Sequence, residues 1–142
     1  MGQSSVAVIR ISGPNSFNIA KKLTGTKKNR AHHEIALLLI KNNEGVSLDR
    51  GLFTFFVSPN SYTGEDIVEI SCHGNQLVVG IIINRCIKLG ARIAEPGEYT
   101  KRAFLNKKVS LSQAESVGAL ISSKSEEAII PVSYTHLRAH ET

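Results

Sequence analysis

Asp66-Ile67-Val68-Glu69-Ile70-Ser71-Cys72-His73-Gly74-Asn75-Gln76, running on to Gly90, sets the architecture. Asp66–Ser71 alternates as a strand, with Ile67, Glu69 and Ser71 on one face and Val68, Ile70 and Cys72 on the other. Cys72-His73-Gly74-Asn75 then turns into a helix from Gln76 to Leu89, which Gly90 ends. A two-sided strand feeding a helix needs a sheet with a helical layer over it.

The flanking sequence repeats these signals. Val6–Ile11 is a β-branched strand closed by Ser12-Gly13-Pro14, and Ser12–Asn15 carries turn and cap chemistry for a helix through Leu23. His33–Ile40 predicts a second strand, buried along Ile35-Ala36-Leu37-Leu38-Leu39-Ile40, with Asn42-Asn43-Glu44-Gly45 as its hairpin turn. Gly51–Val57 is the next strand, and Ser58-Pro59-Asn60-Ser61 punctuates it. After Gly90 come a short strand at Ala91–Ala94, the Pro96-Gly97 turn and a short helix over Gly97–Phe104. Ser110 opens the last helix with Gln113 as a capping-box partner and Leu111, Ala114, Val117 and Ile121 as its apolar stripe. The order is not strictly βαβ. It predicts an α+β fold, a two-layer sandwich of one mixed sheet with helices on one face, plus the start of a helical domain. The expected division is 1–109 for the sandwich, 110–130 for the start of the helical domain and 131–142 for a tail.

Composition narrows the class. The 142 residues are 42% hydrophobic and 20% charged, with 17 Lys and Arg against 12 Asp and Glu, a net charge of +5. That length carries one real core, and the mild basicity suits an anionic partner. No apolar run is long enough to span a bilayer, and Met1–Ser5 shows no secretory pattern. A cytoplasmic, membrane-free protein is expected. The two cysteines, Cys72 and Cys86, read as small buried hydrophobes.

Three motifs lie in order: Arg10-Ile11-Ser12-Gly13, Ser61-Tyr62-Thr63-Gly64-Glu65-Asp66, and the run from Arg92 to Asn106 with two acids and three bases around Pro96-Gly97. On these the chain resembles the N-terminal domain of the MnmE (TrmE) family of tRNA-modifying GTPases, from about Val6 to Ile130. The resemblance implies a folate-binding, dimerising module of a GTPase that acts on wobble uridine 34. It implies a tetrahydrofolate derivative, 5-formyl- or 5,10-methylene-, as cofactor. GTP, Mg and K belong to a G domain, which is absent from this chain. The implied partners are a second copy through this domain, the flavoprotein MnmG (GidA) and tRNA.

No Gly-Lys dipeptide occurs, so a Walker A loop cannot be built and no GTPase activity is expected of the chain alone. GxGxxG, CxxC and HExxH are likewise missing. No catalytic residue or metal ligand is assigned; His136 and His140 stand one helical turn apart without a third ligand nearby in sequence. In the family a further strand and a glycine-rich turn precede the segment matching Val6, so a clipped start and an open strand edge are expected. Residues 131–142, Pro-Val-Ser-Tyr-Thr-His-Leu-Arg-Ala-His-Glu-Thr, look like a translated sequencing adapter and are expected to pack against nothing.

Reduced folate asks for a carboxylate facing its pterin N–H edge, a cation for its glutamate tail and an apolar slot for its rings. Arg10, Glu69 and Lys108 supply the charged groups and match the family's folate-contacting Arg, Glu and Lys. The family reads Leu-Asn-Gly-Lys where this chain has Leu105-Asn106-Lys107-Lys108, so Lys107 competes for the role. Read from the residues alone, Arg10 could instead pair with Glu69 or Glu98, Glu98 with Arg102 four residues on, and His73 is a structural histidine. Asn75 stands where the family has a second Gly, and its tolerance of the left-handed region suits that place. Two other functions fit the composition: a basic RNA-binding module without folate, and an aminomethyltransferase-like folate domain, for which the chain is short.

Overall fold

The computed structural model describes residues 6–123 and 136–139. The strands are β1 (Val6–Ser12), β2 (Ile35–Lys41), β3 (Ser47–Phe56), β4 (Ile67–His73), β5 (Ala91–Ile93) and β6 (His136–Ala139). The helices are α1 (Ser16–Thr24), α2 (Gln76–Lys88), α3 (Glu98–Leu105) and α4 (Leu111–Ser123). The strands form one sheet in the order β2-β3-β4-β1-β6-β5. Strands β2, β3, β4 and β1 are antiparallel neighbours, while β6 runs parallel to β1 and antiparallel to β5. This is the expected mixed sheet of an α+β sandwich.

One face of the sheet holds the core. Ile9 and Ile11 of β1, Val68, Ile70 and Cys72 of β4, Phe53 and Phe55 of β3 and Ile40 of β2 are buried with Ile19, Ala20 and Leu23 of α1 and Val79, Ile82, Ile83 and Cys86 of α2. The alternation read in Asp66–Ser71 holds for Val68 and Ile70, fully buried, against the half-buried Glu69 and Ser71, while Ile67 on the second face is buried as well. Both cysteines are free and buried, and burial pushes the thiols up, Cys72 to about 11 and Cys86 to about 12.

Three expectations change. The run 35–40 is not buried on both sides: Ile35 and Leu37 are 60% exposed and Leu39 42%. Their neighbour Leu52 across β3 is also exposed, because α1 and α2 cover the other face. Asn75 does not adopt the left-handed region; at φ −71, ψ 122 it is the extended N-cap of α2, and its Oδ1 accepts from the Leu77 and Val78 backbone N–H groups. Residues 136–139 do not stand free: their backbone fills the place between β1 and β5, along the β1 edge expected to be open. Strand pairing satisfies main-chain donors and acceptors whatever the side chains are, which is why the sequence of this segment carries little sign of it. The rest of 131–142 and the expected start of the chain lie outside the described residues.

Candidate ligand site on the open sheet face

Arg10 and Glu69 sit directly opposite each other on β1 and β4. The strand period of two puts both on the face that α1 and α2 leave open. Arg10 Nε donates to Glu69 Oε2 at 2.7 Å, and the two side chains remain 40% and 31% exposed. Of the two carboxylates open to Arg10 in the sequence, the fold selects Glu69, because cross-strand neighbours are in reach and Glu98 is held elsewhere.

The pair lines a cavity of about 340 Å³ together with Phe56, Ile67 and Tyr62. Phe56 and Ile67 are themselves paired across β3 and β4, one step along from Glu69, so the apolar wall follows from the register. Tyr62 comes from the loop between β3 and β4, and its hydroxyl lies 2.8 Å from Thr100 Oγ1 of α3. A second cavity of about 250 Å³ shares Arg10 and Tyr62 and continues along Gly97, Thr100, Val117 and Ile121. At the back, the Tyr99 hydroxyl donates to the Arg10 carbonyl at 2.8 Å, fixing α3 against β1. The two cavities meeting at Arg10 and Tyr62 suit a long, flat, partly anionic molecule. Glu69 can accept N–H groups, Arg10 can hold a carboxylate, and Phe56 and Tyr62 flank a ring.

Lys108 is not among the residues lining these two cavities. It follows α3, its backbone N–H donates to Ala103 O at 2.8 Å, and its side chain is exposed. Its Cγ lies 3.4 Å from where a Cβ on Gly64 would stand, in contact range of the loop that carries Tyr62. Gly64 has φ +83, and that Cβ would also come within 2.9 Å of Asn106 Cβ, so glycine is required there twice over. Lys107, where the family carries Gly, takes a left-handed φ of 61. The turn keeps a glycine's backbone with a lysine's side chain.

A polar network braces the same end. Glu98 receives Arg92 at 3.0 and 2.6 Å, Arg102 at 3.1 Å and the Glu95 backbone N–H at 2.9 Å. Arg102 reaches on to Glu65, which accepts from Ser12 at 2.7 Å, and Ser12 contacts Thr63 at 2.8 Å. Burial pushes the Glu98 carboxyl up, but Arg92, the Glu95 N–H and Arg102 outweigh it and hold it below the usual value. His73 is structural: its Nδ1 and backbone N–H both meet Asp49, at 2.7 and 3.0 Å. Sequence reading missed Phe56, Ile67, Tyr62 and Tyr99. The available signals were Tyr62 inside the Ser61–Asp66 motif and Tyr99 inside the Arg92–Asn106 run.

With this geometry in place, the comparisons agree. Residues 1–108 match the family described as "GTP-binding protein TrmE N-terminus". The chain is 44% identical over 127 residues to the tRNA modification GTPase MnmE of Laribacter hongkongensis, covering 89% of this chain and 28% of that protein. The MnmE of Neisseria meningitidis serogroup A is 47% identical over 128 residues, covering 89% and 28% of the two chains. That of Thermosipho melanesiensis is 48% identical over 128 residues, covering 90% and 29%. The chain thus spans under a third of the length of these relatives. On the match over residues 1–108 and these identities, the chain belongs to the TrmE N-terminal family and is an N-terminal domain of the MnmE kind.

Proposed function

We infer that this domain binds a reduced folate, 5-formyl- or 5,10-methylene-tetrahydrofolate, for a tRNA-modifying GTPase that acts on wobble uridine 34. The observation that carries the reading is the Arg10–Glu69 pair in a cavity walled by Phe56, Ile67 and Tyr62. Folate, when bound, supplies a one-carbon unit. Glu69 would accept the pterin N–H edge, Arg10 would hold an anionic group of the ligand, and the two aromatic rings would exclude water from its flat body. GTP hydrolysis, with its Mg and K, belongs to the rest of the whole protein, whose partners in this reading are tRNA and the flavoprotein MnmG (GidA). No helix among the described residues is long and apolar enough to cross a membrane, and a cytoplasmic setting suits tRNA work.

The domain also dimerises in this reading. Ile35, Leu37, Leu39 and Leu52 form an exposed apolar stripe on the same open face as Arg10 and Glu69. A second copy seated there would cover it and stand beside the ligand cavity.

Calorimetric titration with 5-formyltetrahydrofolate tests the site. Arg10→Ala and Glu69→Gln are each expected to weaken binding by roughly 1–3 kcal/mol, the worth of a charge-assisted hydrogen bond. Lys108→Ala is expected to cost less, since its ammonium is exposed and outside the cavity lining. Unchanged affinity in both the Arg10 and Glu69 variants would sink the assignment.

A further inference from the structure

A third cavity lies on the helix-covered side, at the corner where α1 runs into the loop before β2. The stretch Lys21–Glu34 holds Lys21, Lys22, Lys27, Lys28 and Arg30 against Glu34 alone, so five positive charges against one negative give +4 of the chain's net +5. Lys21, Thr26, Lys28 and Arg30 line a cavity of about 170 Å³ with Phe17 and Phe55. The two rings meet edge to face at 5.3 Å, and the Arg30 guanidinium lies 5.8 Å from the Phe55 centroid.

The charges here are under-compensated. Glu34 serves both Arg30, at 2.9 Å, and Lys28, at 3.6 Å. Lys21 Nζ bonds the neutral Asn29 amide oxygen. Arg30, with its side chain only 10% exposed, gives Nη1 to Glu34 and Nη2 to Thr26. Its Nε is buried and meets no acceptor among the described residues. A buried cationic N–H without an acceptor is costly, and it leaves the Arg30 charge met, among the described residues, by Glu34 and Thr26 alone.

Next along the chain, His32 and His33 stack at 4.2 Å with both side chains exposed, against Phe56 at the end of β3. His33 holds φ 63, an unusual backbone for a residue other than glycine, and its ring abuts Phe56 at 5.2 Å. Uncompensated cations answer phosphates, and an exposed aromatic stack answers unpaired bases.

We propose that the Lys21–His33 corner is a binding site for the phosphate backbone of single-stranded or loop RNA, with the His32–His33 stack as a platform for a base. The inference rests on the reading that the whole protein works on tRNA, and not on the folate site.

The test is fluorescence anisotropy of a labelled tRNA against the full chain over a salt series. The native chain should bind at about 50 mM salt and weaken linearly in log–log form. A Lys21→Gln/Lys28→Gln double variant should lose roughly 1.4–1.8 from the magnitude of that slope, two phosphate contacts' worth. Lys88→Gln/Lys101→Gln should leave it unchanged. No RNA binding by the native chain, or an equal loss in the Lys88/Lys101 variant, overturns the proposal. So does pyrophosphate binding at Lys21 and Lys28 without RNA binding, which would mark a small-anion site. Titrating 5-formyltetrahydrofolate into the same double variant separates the two readings, because its affinity should not move.

Discussion

Glu98 shows how one residue binds the motif together. It was legible as an acid four residues before Arg102, and that pair forms. The sequence did not show that Arg92 and Glu65 join through the same two groups, because β5, α3 and the 61–66 loop meet only in the folded chain. Glu98 is held below its ordinary value of 4.5, so its contribution to stability is present above that pH and is lost as pH falls through its folded value. Glu98→Gln is therefore expected to lower the urea midpoint at neutral pH and to flatten its fall below pH 4.5. Urea midpoints measured from pH 3 to 7 decide it; parallel curves for the two proteins would show that the network adds nothing specific to Glu98. Asp49 and Glu34 are also held low, Asp49 because the His73 contacts overcome its burial and Glu34 chiefly by the Ala31 backbone N–H, so the variant should retain part of the acid limb.

At the scale of elements, caps and periodicity were readable and pairing was not. The Ser110–Gln113 box forms in both directions, at 2.8 and 3.1 Å, as its spacing requires. Asn75 was read through its tolerance of unusual backbone, yet it acts through its side chain, accepting from Leu77 at 2.9 Å and Val78 at 3.2 Å. Asn75→Ala is expected to cost about 1 kcal/mol and lower Tm by a few degrees, while Asn75→Gly costs only a few tenths. Calorimetric melting of both variants checks this, and a larger loss with Gly than with Ala would show that the backbone, not the cap, matters. The 35–40 run misled because six apolar residues in a row carry no period, and only the layer above a strand says which face is covered.

For the whole molecule, the open sheet face is the feature with consequences. Its exposed Leu37 and Leu52 are cross-strand neighbours and would form the apolar seat of the proposed dimer. Sedimentation of the chain with 5-formyltetrahydrofolate is expected to show a dimer population, which Leu37→Asp/Leu52→Asp abolishes with little change in the monomer's melting, since neither side chain is in the core. A native chain that stays monomeric at high micromolar concentration with ligand bound would remove the dimer from the reading.

By itself, the sequence determined what is local. Strand alternation in Asp66–Ser71, the helix to Lys88, the glycine at φ +83 in the 61–66 turn and the charge of the Lys21–Glu34 stretch are all properties of neighbours along the chain. The family resemblance also picked out Arg10, Glu69 and Lys108 as ligand residues. Only the tertiary structure put Arg10 and Glu69 2.7 Å apart, set Phe56 and Tyr62 around them, left Lys108 out of that lining and slotted His136–Ala139 between β1 and β5. These depend on strand register and on which edge stays open. Both are set by long-range backbone hydrogen bonding and by which face the helices bury, and neither leaves a period in the sequence.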